Sequence, residues 1–336
     1  MKEALLYEKA EGLRVKCLLC PHSCLIADTK KGMCGVRHNR GGTLYSDVYG
    51  KVAARNTDPI EKKPLFHFYP GSKSYSIATV GCNMRCLHCQ NADISQYPKY
   101  NQGVPGMDMS PHDVVAEAVA CSCQSIAYTY TEPTVFFEFA LDCAKLAKKQ
   151  GLLNVFVTNG FTSREAVEMI APYLDAVNID LKGDDEFYKN IEGAALNPVL
   201  DSIRLYKLLG IWVEITTMII PGYNDSDSFL EWAAGFIKSV DPAVPWHVSR
   251  FYPAYKMNNV GSTPAATLDR ARSIGLKTGL KYIYGGNLPE KSVQNTFCSS
   301  CGELLIERNG FFVEKMNLES SICPVCGYKL EGVGLP

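Results

Sequence analysis

The stretch Gly81-Cys82-Asn83-Met84-Arg85-Cys86-Leu87-His88-Cys89-Gln90-Asn91 constrains this chain more than any other. Its cysteines follow the spacing C-x3-C-x2-C. Thiolates this close in sequence bind metal when reduced, and their number is informative. A structural zinc site is closed by four ligands. An ordinary 4Fe–4S cluster also uses four cysteines, one per iron. Three cysteines leave one iron open to a substrate or cosubstrate. Two plainer readings stand beside this one: His88 completes a zinc site, or one cysteine is a buried apolar residue.

The 14 cysteines are many for a reduced compartment, and most fall in short-spaced sets, which favours metal over disulfides. Ahead of the triplet, Cys17, Cys20, Cys24 and Cys34 have the spacing C-x2-C-x3-C-x9-C. This reads as a second metal site, zinc or iron–sulfur, with Gly32 and Gly35 shaping a tight knuckle and residues 25–33 a loop. His22 and His38 are alternative ligands or ordinary surface histidines. Near the C-terminus, Cys298-x2-Cys301 and Cys323-x2-Cys326 are two knuckles 21 residues apart, a strong sign of zinc or a rubredoxin-like iron. Cys121, Cys123 and Cys143 read as core or surface fillers within predicted helices.

Between these sets, β-branched or aromatic runs alternate with amphipathic stretches. The pattern predicts strands at 75–80, 125–131, 154–158, 176–180, 212–219, 246–250 and 281–284. Ser110-Pro111, Asn197-Pro198 and Thr263-Pro264 read as helix caps followed by proline, and Thr162 with Glu165 as a capping box. Gly151, Gly210 and Gly279 sit where helices end. Strands alternating with helices imply about six parallel βα units. A partial (β/α)6 TIM-like barrel with small Cys-rich metal-binding units at both ends fits better than a doubly wound sheet. Polar residues collect at the strand C-termini, and no G-x-G-x-x-G follows a strand. The expected division is 1–73, a Cys-rich head and connector; 74–293, the core barrel; and 294–336, a zinc-ribbon or rubredoxin-like tail.

The net charge of −1 gives no global field toward nucleic acid or acidic lipid. The tail lacks a dense basic run, so a structural or docking role suits it better than nucleic-acid binding. No uninterrupted apolar run reaches membrane length, and the first residues carry no signal-peptide core. These features lead to an expectation of a cytoplasmic protein with no membrane or nucleic-acid partner.

The triplet resembles the signature of the radical S-adenosylmethionine (radical SAM) superfamily. More of the chain resembles the radical SAM proteins of the AmmeMemoRadiSam system, related to pyruvate formate-lyase-activating enzymes. The segments that carry this are 17–37, 80–91, 128–137, 158–161, 180–183, 219–225, 246–253 and the tail knuckles. The resemblance implies a 4Fe–4S cluster on Cys82, Cys86 and Cys89 whose open iron is chelated by S-adenosylmethionine. It also implies an electron donor and a Memo-like partner protein. At the strand ends it points to Glu132, in a Tyr-Thr-Glu run where relatives carry Gly-Gly-Glu, as an acceptor for the cosubstrate amino group. Asn159 would contact ribose. Asp180 and Lys182, in an Asp-x-Lys like that of glycyl-radical-enzyme activases, would lie beside the cosubstrate, with Lys182 meeting its carboxylate. Arg250, or less favourably His247, would reach the barrel interior. Each of these residues also has a structural reading, as a cap, a turn, an ion pair or a core residue.

The expected function is reductive cleavage of S-adenosylmethionine to a 5′-deoxyadenosyl radical that abstracts hydrogen from a protein or peptide, the activity of an oxidoreductase or lyase. Activation of a glycyl radical enzyme is the alternative within enzymes. A zinc-binding adaptor without catalysis is the alternative outside them.

Overall fold

A computed structural model describes every residue except Gln102 and 288–291. Its centre is an eight-stranded sheet. The strands are β1 (Ala54–Pro59), β2 (Lys73–Ala78), β3 (Ser125–Tyr128), β4 (Leu153–Thr158), β5 (Ala176–Asp180), β6 (Trp212–Ile219), β7 (Trp246–Arg250) and β8 (Ile283–Gly286). They lie side by side in chain order. From β2 to β8 every pairing is parallel, and β1 runs antiparallel to β2. A doubly wound sheet reverses strand order at a switch point. This sheet never reverses, so it is singly wound like a barrel. Among the described residues its two edges, β1 and β8, do not pair, which leaves the barrel partial.

Each parallel crossover carries a helix. In chain order these are α1 (Pro111–Ala120), α2 (Phe137–Lys149), α3 (Arg164–Ile170), α4 (Asn197–Leu208), α5 (Asp227–Val240) and α6 (Ala265–Thr278). Parallel strands covered by helices are buried on both faces and read as apolar runs. In β3 all four residues are buried, and in β5 the first four of five are. Among the described residues no helix is long and apolar enough to cross a membrane.

Strands β5, β6 and β7 have the bounds the pattern predicts. β2 ends at Ala78, because Thr79 and Val80 already lead into the cysteine loop. β3 stops at Tyr128 rather than 131. Tyr130 takes φ +61°, a left-handed conformation that breaks an extended strand. β8 begins at Ile283, not 281.

Ser110 caps α1 in a reciprocal capping box with Asp113. The other caps need correction. Ser163, not Thr162, accepts from the third residue of α3. Asn197 is already helical, and its helix starts without a side-chain cap. Thr263 leaves the α6 terminus alone. Its hydroxyl accepts from Phe251 N and donates to Ile219 O, bridging the ends of β7 and β6.

The head forms two small antiparallel sheets. Leu25–Ile26, expected to be loop, is a short strand paired with Arg14–Cys17. Arg37 and Glu138 pair at 2.9 Å, both fully buried, and fasten the head to α2. The connector reaches further into the barrel than its sequence suggests, since it contributes β1 and then crosses the sheet. Glu214, buried near the N-terminal end of β6, accepts from the backbone N–H groups of Phe66 and His67 at 2.9 and 2.8 Å. It also accepts from Trp212 Nε1 and contacts His247 Nε2 at 2.6 Å. This network closes the floor of the sheet, so the C-terminal ends are the ones left to line a site.

Candidate active site

After β2 the chain turns sharply at Gly81. Its φ is +104°, and a Cβ there would lie 2.7 Å from Val36 Cγ1. Only glycine fits this approach. The loop that follows is held from several sides. Arg85 N–H donates to Glu192 O at 2.8 Å and Leu87 N–H to Ile191 O at 3.1 Å, both on a π-helical turn, Tyr188–Glu192. Asn83 Nδ2 donates to Phe161 O at 2.7 Å and Lys99 Nζ to Met84 O at 2.6 Å. A loop with its own backbone groups so fully occupied presents its cysteines in one arrangement.

Cys82, Cys86 and Cys89 line one cavity of about 540 Å³ at the C-terminal ends of the strands. That volume lies within the roughly 300–1,000 Å³ of small-molecule sites. Glu132, Asn159, Asp180 and Lys182 line the same cavity, from the ends of β3, β4 and β5. Arg250 is placed elsewhere. Its guanidinium lies over the Tyr252 ring at 5.0 Å, and Ser249 takes the β7 position in the cavity wall. His247 belongs to the floor network below.

Glu132 is both a structural cap and a cavity residue. Its Oε1 accepts from Thr134 N, Thr134 Oγ1 and Thr158 Oγ1, and Oε2 accepts from Asn159 N–H at 2.8 Å. Oε2 therefore keeps a lone pair free. Burial raises its pKa above the usual carboxylate range, opposed by these donors. The amide of Asn159 points the other way, with Nδ2 at 2.9 Å from Asn83 Oδ1 and 3.7 Å from Cys82 Sγ. Asp180 and Lys182 pair at 2.8 Å. Burial works against the Lys182 charge, but Asp180, Glu192 and Cys86 around it win and hold its pKa well above normal.

One wall escapes sequence reasoning. Lys63, fully buried, donates to Asp58 at 2.7 Å and lies over the Tyr130 ring at 4.6 Å. Lys62 and Tyr130 complete the Asp58 cluster, and both lysines line the cavity. The signal was the run Asp58-Pro59-Ile60-Glu61-Lys62-Lys63, which reads as an ordinary charged connector. Its meaning depends on β1 joining the sheet.

His88 does not close a zinc site with the triplet. It contacts Glu192 at 2.5 Å, and among the described residues only Cys86 joins that pair within 4.8 Å, leaving no fourth ligand. The tail differs. Cys298, Cys301, Cys323 and Cys326 converge, with sulfur separations of 3.6 and 3.7 Å. Sulfurs about 2.3 Å from one tetrahedral ion stand about 3.8 Å apart, so the tail is sized for a single ion. Of the remaining cysteines, Cys123 and Cys143 are buried and Cys121 is exposed.

Residues 76–233 match the model of the radical SAM superfamily. Over 334 residues, 98% of this chain and 99% of the relative, the sequence is 45% identical to an uncharacterized protein of Methanocaldococcus jannaschii. This chain belongs to the radical SAM superfamily. It is also 24% identical to the pyruvate formate-lyase 1-activating enzyme of Escherichia coli, over 61% of this chain and 89% of that one. The fold is similar to a radical SAM methyltransferase from Sphaerobacter thermophilus, with TM-score 0.52, 15% identity and coverage of 70% of this chain and 71% of that one. The protein is thus an enzyme with the radical SAM α/β fold, which sets aside the zinc-adaptor reading.

Radical SAM enzymes bind a 4Fe–4S cluster and S-adenosylmethionine, and the residues here fit both. Burial first, then the nearby Glu132 charge, pushes the Cys82 thiol up to about 12, and burial, then Glu192, holds Cys86 well above the usual thiol range. Thiols held this way stay protonated unless a cation compensates them, and a bound metal deprotonates a thiol outright. Cys82, Cys86 and Cys89 would hold such a cluster with one iron left for the cosubstrate, and the cavity they line carries both an acid, Glu132, and a cation, Lys182.

Proposed function

We propose that this enzyme reductively cleaves S-adenosylmethionine and directs hydrogen abstraction at a protein or peptide segment. The observation that carries the reading is the convergence of Cys82, Cys86 and Cys89 with Asp180 and Lys182 around one cavity. When bound, the cluster and S-adenosylmethionine supply a 5′-deoxyadenosyl radical. The chain's own residues bind, orient and insulate. Lys182 meets the cosubstrate carboxylate as a point charge. Glu132, with its free Oε2 lone pair, and Asp180 accept from the amino group. Asn159, fixed by Glu132, meets the ribose side and donates toward Cys82. The apolar strands and the Glu214–His247 floor keep water out from below, which strengthens each of these contacts.

The substrate side is the finer part of the proposal. The likeness to pyruvate formate-lyase-activating enzymes supports a protein substrate and a one-electron protein donor. The resemblance of the chain's motif segments to the AmmeMemoRadiSam proteins supports a Memo-like partner. Activation of a glycyl radical enzyme is the second reading, favoured by the Asp180–Lys182 pair. We place the enzyme in the cytoplasm and assign zinc to the tail, with the head (1–73) and tail (294–336) as docking units on the core (74–293).

Cys86→Ala tests the reading. It removes one cluster ligand from a loop whose fold rests on backbone bonds. The variant should lose S-adenosylmethionine cleavage under anaerobic reduction while keeping its circular dichroism and its tail metal. Cleavage that persists would mean the cluster sits elsewhere.

A further inference from the structure

Behind the active cavity a second hollow lies between Cys17, Cys20, Cys24 and Cys34, with Arg37 in its wall. Cys17 and Cys34 are buried and the other two half-buried.

Sulfur spacing separates this set from the tail. The four tail sulfurs lie within 4.8 Å of one another. No three of the four head sulfurs do, among the described residues, and neither do the three of Cys82, Cys86 and Cys89. A single tetrahedral ion draws its sulfurs in to about 2.3 Å and leaves no space between them. The head sulfurs are not drawn in that closely, and they surround a small hollow that Arg37 also lines. A cluster with one cysteine per iron needs such wider spacing. Like the radical SAM triplet, the head sulfurs are held less closely than those of the tail, and with a fourth cysteine a cluster there would leave no iron open.

Arg37 is the independent sign. It is fully buried, one of its nitrogens pairs with Glu138, and its Nε has no partner. A buried guanidinium N–H without an acceptor is costly. Lining the hollow, it can donate to a sulfide or thiolate of an anionic core.

We propose that Cys17, Cys20, Cys24 and Cys34 hold a second, fully ligated 4Fe–4S cluster rather than zinc. The two cysteine sets share a wall. A Cβ on Gly81 would touch Val36 and lie 3.3 Å from Cys34 O, and His22 Nε2 lies 2.8 Å from Asn83 O. The proposal goes beyond the radical reading and does not depend on it.

The experiment uses the full chain with Cys82→Ala, Cys86→Ala and Cys89→Ala together, reconstituted anaerobically with ferrous iron and sulfide. Iron, acid-labile sulfide and zinc are counted, and the dithionite-reduced protein is examined by electron paramagnetic resonance. About four irons and four sulfides per chain should remain, with the signal of a reduced 4Fe–4S cluster. Sulfide is the deciding count, because a rubredoxin-like tail would add iron alone. Adding Cys20→Ser and Cys24→Ser should remove that sulfide and leave the tail metal. If the triple variant does not fold, Cys20→Ser with Cys24→Ser in the otherwise unmodified chain decides, with a loss of about four sulfides per chain expected and no loss overturning the proposal. A sulfide-free triple variant that is folded, with or without a second zinc, overturns the proposal, as does sulfide that survives loss of Cys20 and Cys24.

Discussion

The side-chain amide of Asn159 lies 3.7 Å from the sulfur of Cys82, while its backbone N–H is held by Glu132 at 2.8 Å. One residue thus links the carboxylate at the end of β3 to Cys82, the proposed cluster ligand after β2. Hydrogen bonds to ligand sulfurs favour the reduced state. A bond of about 1 kcal/mol corresponds to about 40 mV for one electron. Asn159→Ala should lower the midpoint potential of the triplet's cluster by about that much in a titration followed by electron paramagnetic resonance. An unchanged potential would show that the amide does not reach the sulfur.

Lys182 lines the cavity together with the triplet, held by Asp180 at 2.8 Å and kept charged by its anionic neighbours. A hydrogen bond to a charged group contributes about 1.5–3 kcal/mol. Lys182→Met should weaken anaerobic S-adenosylmethionine binding by about 10- to 100-fold in calorimetry. Equal affinity would move the carboxylate contact to another residue.

Lys63 adds a pH dependence. Burial lowers its pKa to about 8, with Asp58 opposing the shift. Above that pH the folded protein loses a cation from the cavity wall. Between about 8 and 10.5 the unfolded chain still binds the proton that the folded one has released, so this group makes stability rise with pH across that window. Affinity for the anionic end of a cavity ligand should move the other way and fall as pH passes 8. In Lys63→Met the affinity profile should be flat there, and a profile matching the unmodified enzyme would assign the effect to another group.

Arg308 joins the tail to the barrel. It is fully buried, donates to Phe66 O at 2.7 Å and Thr296 Oγ1 at 2.8 Å, and lies 3.6 Å from buried Glu61. Arg308→Met strands Glu61 without its counter-charge, and breaking a buried pair this way costs about 3–5 kcal/mol. Urea unfolding should show a loss of that size. A loss under 1 kcal/mol would mean the tail is held by its metal and apolar contacts alone.

Cysteine spacing and strand periodicity made the cluster loop, the parallel sheet and most strand bounds legible in the sequence, because both are local patterns. Asp180 and Lys182 were legible through their resemblance to the Asp-x-Lys of glycyl-radical-enzyme activases, at a strand C-terminus of the kind that faces the site in such folds. Lys63 and Asp58 were not, because their place depends on β1 pairing with β2, a contact no local pattern reveals. Arg250 sits one residue beyond Ser249, and with side chains alternating across a strand that single step takes it out of the cavity wall. Thr263 has the sequence of a helix cap but bridges two strand ends instead, a tertiary choice that overrides propensity.

The most direct measurement is the formation of 5′-deoxyadenosine. The full chain is reconstituted with iron and sulfide, reduced anaerobically and given S-adenosylmethionine, and the product is quantified alongside iron, sulfide and zinc. The unmodified chain should form 5′-deoxyadenosine, and Cys86→Ala should form none. A fully iron-loaded, reduced protein that binds S-adenosylmethionine and releases no 5′-deoxyadenosine, with or without a protein partner, would contradict the proposed cleavage.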